Sequence, residues 1–109
     1  MNTALITGAS SGIGEAFGRK LTALGRNVFL VSRSEEKLIS LCNELGRTKS
    51  VRAQYMAIDL SAADAPATLF SEVEKRGMTV DLLVNNAGFG AMGDFERLDL
   101  GRHVRQNFP

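Results

Sequence analysis

The sequence is poor in cysteine and histidine, and it has no excess of charge of either sign. Its only cysteine, Cys42, excludes a disulfide framework and a Cys/His metal cluster, and it favours a reducing cytoplasm. A net charge of +1 gives no electrostatic attraction to nucleic acid or to anionic membranes. No apolar run reaches about 18 residues, and no basic segment precedes an apolar one, so neither a transmembrane helix nor a signal peptide is predicted. We therefore expect a cytoplasmic protein without nucleic-acid or membrane partners.

The length of 109 residues, 44% of them apolar, is typical of a small globular protein and limits the chain to one domain, over residues 1–109. Such a chain buries about 60–70% of the surface that it exposes when unfolded, which is enough for a core. Glycine is the one residue type in excess. Most of the eleven glycines lie in two segments, Gly8–Gly18 and Gly88–Gly93.

Apolar runs alternate with helical spacing along the chain. Four runs predict strands, at Ala4–Thr7, Val28–Val31, Val51–Ile58 and Val80–Val84. Three helices are predicted between them: Ile13 to a cap at Gly25, Leu38 to Gly46, and Ala62–Arg76 with Pro66 in its first turns. The order βαβαβαβ predicts an α/β fold, an incomplete Rossmann-like, doubly wound parallel sheet with strand order 3-2-1-4. A fourth strand that ended the sheet would expose an unpaired apolar edge.

The first glycine segment, Thr7–Gly14, joins the first strand to the first helix. Gly8 allows a sharp turn, Gly12 leaves room for a pyrophosphate, and Gly14 lets the helix pack closely against the sheet. The free N–H groups at the helix start favour an anion, and Ser10 and Ser11 add hydroxyl donors. A glycine-rich turn with a serine helix cap and no ligand is the alternative.

The motif TGASSGIG at Thr7–Gly14, together with NNAG at Asn85–Gly88, resembles the short-chain dehydrogenase/reductase family, in its single-domain branch. The resemblance runs from residue 3 to about residue 100. It implies hydride transfer between a nicotinamide dinucleotide and a carbonyl or alcohol. The cofactor-binding residues that it implies, together with those argued from the loop, are Gly8, Ser10, Ser11, Gly12, Ile13, Gly14, Arg33, Asp59, Leu60, Asn86, Ala87 and Gly88.

The end of the second strand indicates which dinucleotide is bound. An acidic residue about 20 positions after the glycine loop holds the ribose of NAD in this fold. Ser32 stands there instead, followed by Arg33, whose guanidinium can pair with a 2′-phosphate. NADP(H) is therefore the preferred cofactor, with NAD(H) possible. Alternatively, Ser32 caps the next helix through Glu35, while Arg33 points into water.

The ends of the third and fourth strands complete the expected site. By resemblance, Asp59 meets the adenine edge, with Leu60 nearby, although Asp59 could instead cap the next helix. By resemblance, the backbone turn Asn86–Gly88 would run beside the ribose and nicotinamide of the cofactor. Of the two asparagines, Asn85 is the one expected to have a structural role. Phe89 and Met92 could line an apolar substrate wall.

The proton-transfer residues of the family, a Ser, an Asn and a Tyr-x-x-x-Lys pair, cannot be assigned. The only tyrosine, Tyr55, is predicted in the third strand and is followed four residues later by Asp59, not lysine. Asn107 lies about three residues short of the family's Asn, in a tail without the expected apolar pattern. His103 is expected on a helix surface. No catalytic residue or metal ligand is predicted, so the chain alone should be inactive.

Two hypotheses remain. The chain is the cofactor-binding part of an NADP(H)-dependent oxidoreductase, or it is a non-catalytic NADP(H)-binding or redox-sensing module. For the first, a small-molecule carbonyl or alcohol substrate and a homo-oligomeric full-length form are expected.

Overall fold

The computed structural model describes residues 2–47 and 50–86, and the backbone of residues 105–107. The described residues form five strands and three helices, and strands and helices alternate from the first strand to the fourth. They are β1 (Asn2–Thr7), α1 (Gly12–Ala23), β2 (Asn27–Ser32), α2 (Glu35–Leu45), β3 (Ala53–Ala57), α3 (Ala65–Lys75), β4 (Thr79–Asn85) and β5 (Arg105–Asn107). All strand pairs are parallel, in the order β3-β2-β1-β4-β5. The predicted Rossmann-like sheet with strand order 3-2-1-4 is confirmed.

Both faces of the sheet are covered, which explains why β1 and β2 are continuous apolar runs. Along β1, Leu5 faces the α3 side, whereas Ala4 and Ile6 face α1 and α2. All three side chains are fully buried. Because successive side chains of a strand point to opposite faces, these three residues are divided between two cores. The packing continues to the end of β1, where Thr7 and Ala9 are fully buried beside the start of the glycine loop.

β5 is the main departure from the predicted order of elements. Its backbone pairs in parallel with Leu82–Val84 of β4. The expectation of an unpaired fourth-strand edge is therefore wrong over this stretch. The sequence does not predict this strand, because residues 105–107 are all polar and lack alternating apolar side chains. Their backbone forms a strand through pairing with β4.

Helices α2 and α3 begin at Glu35 and Ala65, not at the predicted Leu38 and Ala62, whereas the predicted cap of α1 at Gly25 is confirmed. Helix α3 begins at Ala65, so Pro66 is its second residue, where a missing N–H costs no hydrogen bond. Helix α1 ends in a Schellman motif, in which the N–H of Gly25 donates to the Thr22 carbonyl and that of Arg26 to the Leu21 carbonyl. Gly25 has a φ of +83° and follows the cap residue Leu24. None of the described helices is long and apolar enough to cross a membrane.

Candidate functional site

A cleft of about 470 Å³ lies at the carboxyl ends of β1, β2 and β3. This is the edge at which open parallel sheets bind their ligands. The cleft brings together six of the predicted site residues from three separate segments of the chain. They are Gly8, Ser10, Ser11, Arg33, Asp59 and Leu60. Within the part of the chain that the structure describes, no group of three or more His, Cys, Asp or Glu residues could hold a metal ion.

The glycines of the loop have three different roles. Gly8 turns the chain out of β1 with a φ of +64°, which a residue with a side chain rarely adopts. A Cβ atom on Gly14 would lie 2.1 Å from the Gly8 carbonyl oxygen, so α1 can start this close to the loop only with glycine there. A Cβ atom on Gly12 would meet nothing within 4 Å. The space at Gly12 is therefore open to a ligand.

The close approach to the sheet that was expected of Gly14 belongs instead to Gly18. A Cβ atom on Gly18 would lie 3.3 Å from the Leu45 side chain and 3.7 Å from that of Leu30. Gly14 contacts the loop backbone. The two glycines lie four residues apart, on one face of α1. Gly14 lets this face approach the loop, and Gly18 lets it approach the sheet and α2.

Ser11 is the N-cap of α1. Its hydroxyl donates to the Gly8 carbonyl at 2.8 Å and accepts from the Gly14 N–H at 3.2 Å. It also accepts from the Asn86 amide nitrogen at 2.7 Å. One proton and two lone pairs are thereby used within the protein. The serine cap that the alternative interpretation expects is therefore present, at Ser11. Ser10, the other serine of the loop, also lines the cleft.

Ile13 and the two asparagines flank the loop. The Ile13 side chain is 57% exposed, although its neighbour Gly14 is buried. Asn86 donates to the Gly8 carbonyl at 3.1 Å, and Asn85 accepts from the Thr7 hydroxyl at 3.1 Å, which ties the ends of β1 and β4 together. The predicted residues Ala87 and Gly88 lie outside the described residues, as do Phe89, Met92 and His103.

Ser32 ends β2, and it does not cap α2. Its hydroxyl accepts from the Ser34 N–H at 3.2 Å, and the N-cap of α2 is Ser34. The proposed Ser32–Glu35 capping box is therefore wrong, because Ser32 precedes the cap by two residues and is still part of the strand. Arg33 is exposed and lines the cleft.

Asp59 and Leu60 follow β3. The Asp59 carboxylate accepts from the Ser61 N–H at 3.0 Å and from the Ser61 hydroxyl at 2.6 Å. These bonds, the hydroxyl one foremost, lower the pKa of the Asp59 carboxyl, and the charge of Arg33 lowers it further. Since the N-cap of α3 is Asp64, the alternative in which Asp59 caps that helix is wrong. Leu60 is buried in the core on the α3 side while also lining the cleft.

Lys37 is a cleft residue that the sequence reasoning missed. It belongs to the first turn of α2 and lines the cleft together with Arg33. The sequence offered no clear signal for Lys37, because Arg33 precedes the N-cap Ser34 and the position of Lys37 depends on where α2 begins.

The residues considered for proton transfer lie elsewhere. Tyr55 is in β3, as predicted, and its hydroxyl donates to the Glu35 carboxylate at 3.4 Å. The backbone of Asn107 is in β5, paired with Val84, and not in a helix. Tyr55 does not line the cleft.

Comparison with known proteins places these features in a family. A sequence model described as short chain dehydrogenase matches residues 2–108. A very-long-chain 3-oxoacyl-CoA reductase of Yarrowia lipolytica is 41% identical over 88 residues, which is 78% of this chain and 22% of the relative. A short chain dehydrogenase of Pseudocercospora fijiensis is 37% identical and is covered over 29% of its length.

Solved structures agree with the sequence comparison. An alcohol dehydrogenase from Thermococcus sibiricus, complexed with 5-hydroxy-NADP, has a TM-score of 0.74 and 39% identity. The match covers 83% of this chain and 38% of that one. A metagenomic short-chain oxidoreductase in complex with NADP has a TM-score of 0.71 and 42% identity, over 82% of this chain and 40% of the other. The chain thus spans less than half the length of each of these four proteins. By motif, fold and sequence, it belongs to the short-chain dehydrogenase family.

Proposed function

We propose that this chain forms the NADP(H)-binding part of a short-chain oxidoreductase that acts on a carbonyl or alcohol. One observation carries the proposal. Arg33 lines the same cleft as the glycine loop, and Ser32, not a carboxylate, ends the strand before it. A 2′-phosphate would find a guanidinium there, whereas the ribose of NAD would lack its usual acidic partner.

The residues present fit a dinucleotide. The pyrophosphate would lie at the start of α1, where Gly12 leaves open space and the helix start attracts an anion. Asp59 and Leu60 would border the adenosine end, and Ser10 would offer a hydroxyl to a phosphate. The bound NADP(H) would supply or accept the hydride. Two structural relatives were solved with NADP or 5-hydroxy-NADP, which supports this choice of cofactor.

Catalysis is not proposed for the residues of this chain alone. The family resemblance calls for a Tyr-x-x-x-Lys pair, and the only tyrosine, Tyr55, lies in β3 and donates to Glu35 of α2. The alternative function, a non-catalytic NADP(H)-binding or redox-sensing module, needs the same cleft. A search for Tyr-x-x-x-Lys in the coding DNA after codon 109 separates the two: its presence supports the oxidoreductase, and its absence in every frame supports the module.

Binding of NADPH and NADH to the chain and to Arg33→Ala tests the cofactor proposal. Isothermal titration should show tighter binding of NADPH by the unaltered chain. Arg33→Ala should lose ~1.5–3 kcal/mol of NADPH binding, or about 10- to 150-fold, because a hydrogen-bonded charge is removed from the phosphate. NADH binding should change little.

Arg47→Ala is the matched control, because Arg47 is an exposed arginine that does not line the cleft. If Arg33→Ala weakened NADPH and NADH equally, Arg33 would not lie at the 2′-phosphate and the NADP(H) proposal would fail.

A further inference from the structure

The face of α1 that packs inward consists of small residues. Its buried residues are Gly14, Gly18 and Thr22, and the Thr22 hydroxyl donates to the Gly18 carbonyl of the same helix. The larger side chains of Phe17 and Leu21 are only partly buried. Protein interiors are normally held in place by large side chains that interdigitate. Packing therefore fixes the position of α1 along the sheet weakly, and contacts at the ends of the helix become important.

Both ends of α1 are tied to β4. At the start of the helix, the N-cap Ser11 accepts from the amide of Asn86, which directly follows β4. At its end, the Arg26 guanidinium donates to the Asp81 carboxylate at 2.5 Å. The backbone N–H of Arg26 belongs to the Schellman motif, so the position of this arginine follows that of the helix. A helix of this length spans ~18 Å and five residues of a strand span ~17 Å, so the two ties match the length of α1.

A β-bulge directs Asp81 to this contact. Val80 and Leu82 pair with consecutive residues of β1, so Asp81 between them has no counterpart there. The extra residue lets Val80 and Leu83 lie in the same core, although residues three apart on a regular strand point to opposite faces. Bulges aim a side chain away from this alternation, and the Asp81 carboxylate meets Arg26. Both side chains are only about one-third exposed, which shields the pair in part from water.

We infer that Asp81 is a positioning residue of the dinucleotide site. Through Arg26 it holds the far end of α1, and it thereby sets where the helix begins and where its N–H groups meet a pyrophosphate. This inference rests on the proposed function of the cleft. Neither residue lines the cleft, which lies at the opposite ends of the strands. Because NADPH and NADH share the pyrophosphate, the pair should affect the binding of both alike.

Isothermal titration of Asp81→Asn, Arg26→Gln and the double variant tests the inference. Each single variant should bind NADPH about two- to fivefold more weakly, the fold-change equivalent to ~0.4–1 kcal/mol for a partly exposed ion pair. NADH binding should weaken by the same factor. The double variant should bind no more weakly than either single variant, because the two residues act as one unit. Arg26→Lys, which keeps the charge, should retain most of the affinity.

The chain without ligand provides a second measurement. The Gly14 N–H donates to the Ser11 hydroxyl at the start of α1, and its NMR chemical shift should change in Asp81→Asn, at the other end of the helix. Glu72→Gln is the matched control, because it breaks the similarly buried pair of Glu72 and Arg76 at the end of α3. Urea denaturation should show a similar loss of stability in both variants. Glu72→Gln should leave the Gly14 shift and the dinucleotide affinities unchanged.

The outcomes separate this inference from the proposed function. If Asp81→Asn leaves either the Gly14 shift or the dinucleotide affinities unchanged, the pair does not position the site and the inference is refuted. If the unaltered chain binds NADPH and NADH equally and Asp81→Asn weakens both, the cofactor preference fails and the inference stands. If the unaltered chain binds neither, the cleft is not a dinucleotide site and both fail. Circular dichroism of each variant verifies that it is folded.

Discussion

At the scale of single residues, different glycines of the loop serve folding and ligand binding. Gly14 is enclosed by the backbone of Gly8 and Ala9, whereas the space beside Gly12 is open. Two glycines of one motif are thus needed for different reasons. The sequence pattern predicts that Gly14 packs against the sheet, and only the structure shows that it packs against the backbone of the loop.

Alanine at these two positions should have opposite effects on stability. Gly14→Ala should lower the free energy of unfolding by ~1–3 kcal/mol or more, because its Cβ collides with backbone. Gly12→Ala should raise the free energy of unfolding by ~0.4–1 kcal/mol, because the unfolded chain loses conformational freedom. Urea denaturation measures both effects. NADPH titration of Gly12→Ala should show weakened binding, since the methyl group enters the pyrophosphate space.

The interpretation of Gly14 fails if Gly14→Ala is as stable as the unaltered chain. Unchanged NADPH affinity in Gly12→Ala would instead contradict the proposed position of the pyrophosphate.

At the scale of elements, Arg19 connects the two helices on one face of the sheet. It lies on α1 and pairs with Glu15 at 2.8 Å on its own helix and with Glu44 on α2. The hydrogen bond from Arg19 lowers the pKa of the Glu44 carboxyl below its ordinary value of 4.5. The bridge is exposed, so water and salt screen it strongly.

The contribution of this bridge to stability should depend on pH in one direction. A lowered carboxyl pKa means that folding favours the ionised Glu44. The stabilisation is therefore present above pH 4.5, the ordinary value, and is lost as pH falls through the lower pKa of the folded state. NMR titration of Arg19→Gln should show the pKa of Glu44 rising toward 4.5.

Arg47→Gln is the comparison, because Arg47 acts on Glu44 only through its more distant charge and should raise this pKa much less. If both variants moved the pKa of Glu44 equally, the specific bridge between α1 and α2 would be refuted.

At the scale of the whole molecule, the sequence predicts the elements and their order well. Burial on both faces leaves a local signature, such as the continuous apolar run Val28–Val31, and glycines mark the turns. The third strand was predicted too long because only Ala53–Ala57 pairs with β2, and pairing is not a local property.

The same division applies to the site. The motif locates the loop, Arg33 and Asp59, because each directly follows a recognisable strand. It cannot show that the Ser11 hydroxyl is used by Asn86, from 75 residues away. Nor does it show that Lys37 reaches the cleft, since this depends on where α2 begins. The residues of the site that sequence reasoning misses or misassigns are those whose roles depend on contacts between segments.

Ligand binding should stabilise the entire domain. The cleft joins the ends of three strands, so a dinucleotide bound there can bind the folded chain only. NADPH at 100 times its dissociation constant should raise the free energy of unfolding by ~2.7 kcal/mol. Thermal unfolding followed by circular dichroism measures this. Arg33→Ala at the same NADPH concentration should gain less, and an unfolding midpoint that NADPH leaves unchanged would contradict a dinucleotide site in this chain.

The hydrogen bonds from Asn86 to the Gly8 carbonyl and the Ser11 hydroxyl have a consequence for the kinetics of capture. They fix the loop to a strand end that lies 78 residues after Gly8. The loop therefore takes its shape when the sheet folds, and its ordering entropy is already lost before a ligand arrives. A phosphate would meet amide groups that are already aligned, so association requires no slow rearrangement of the loop. The speed with which this cleft takes up a ligand is thus determined, in part, by an asparagine that follows β4, far from the loop in the sequence.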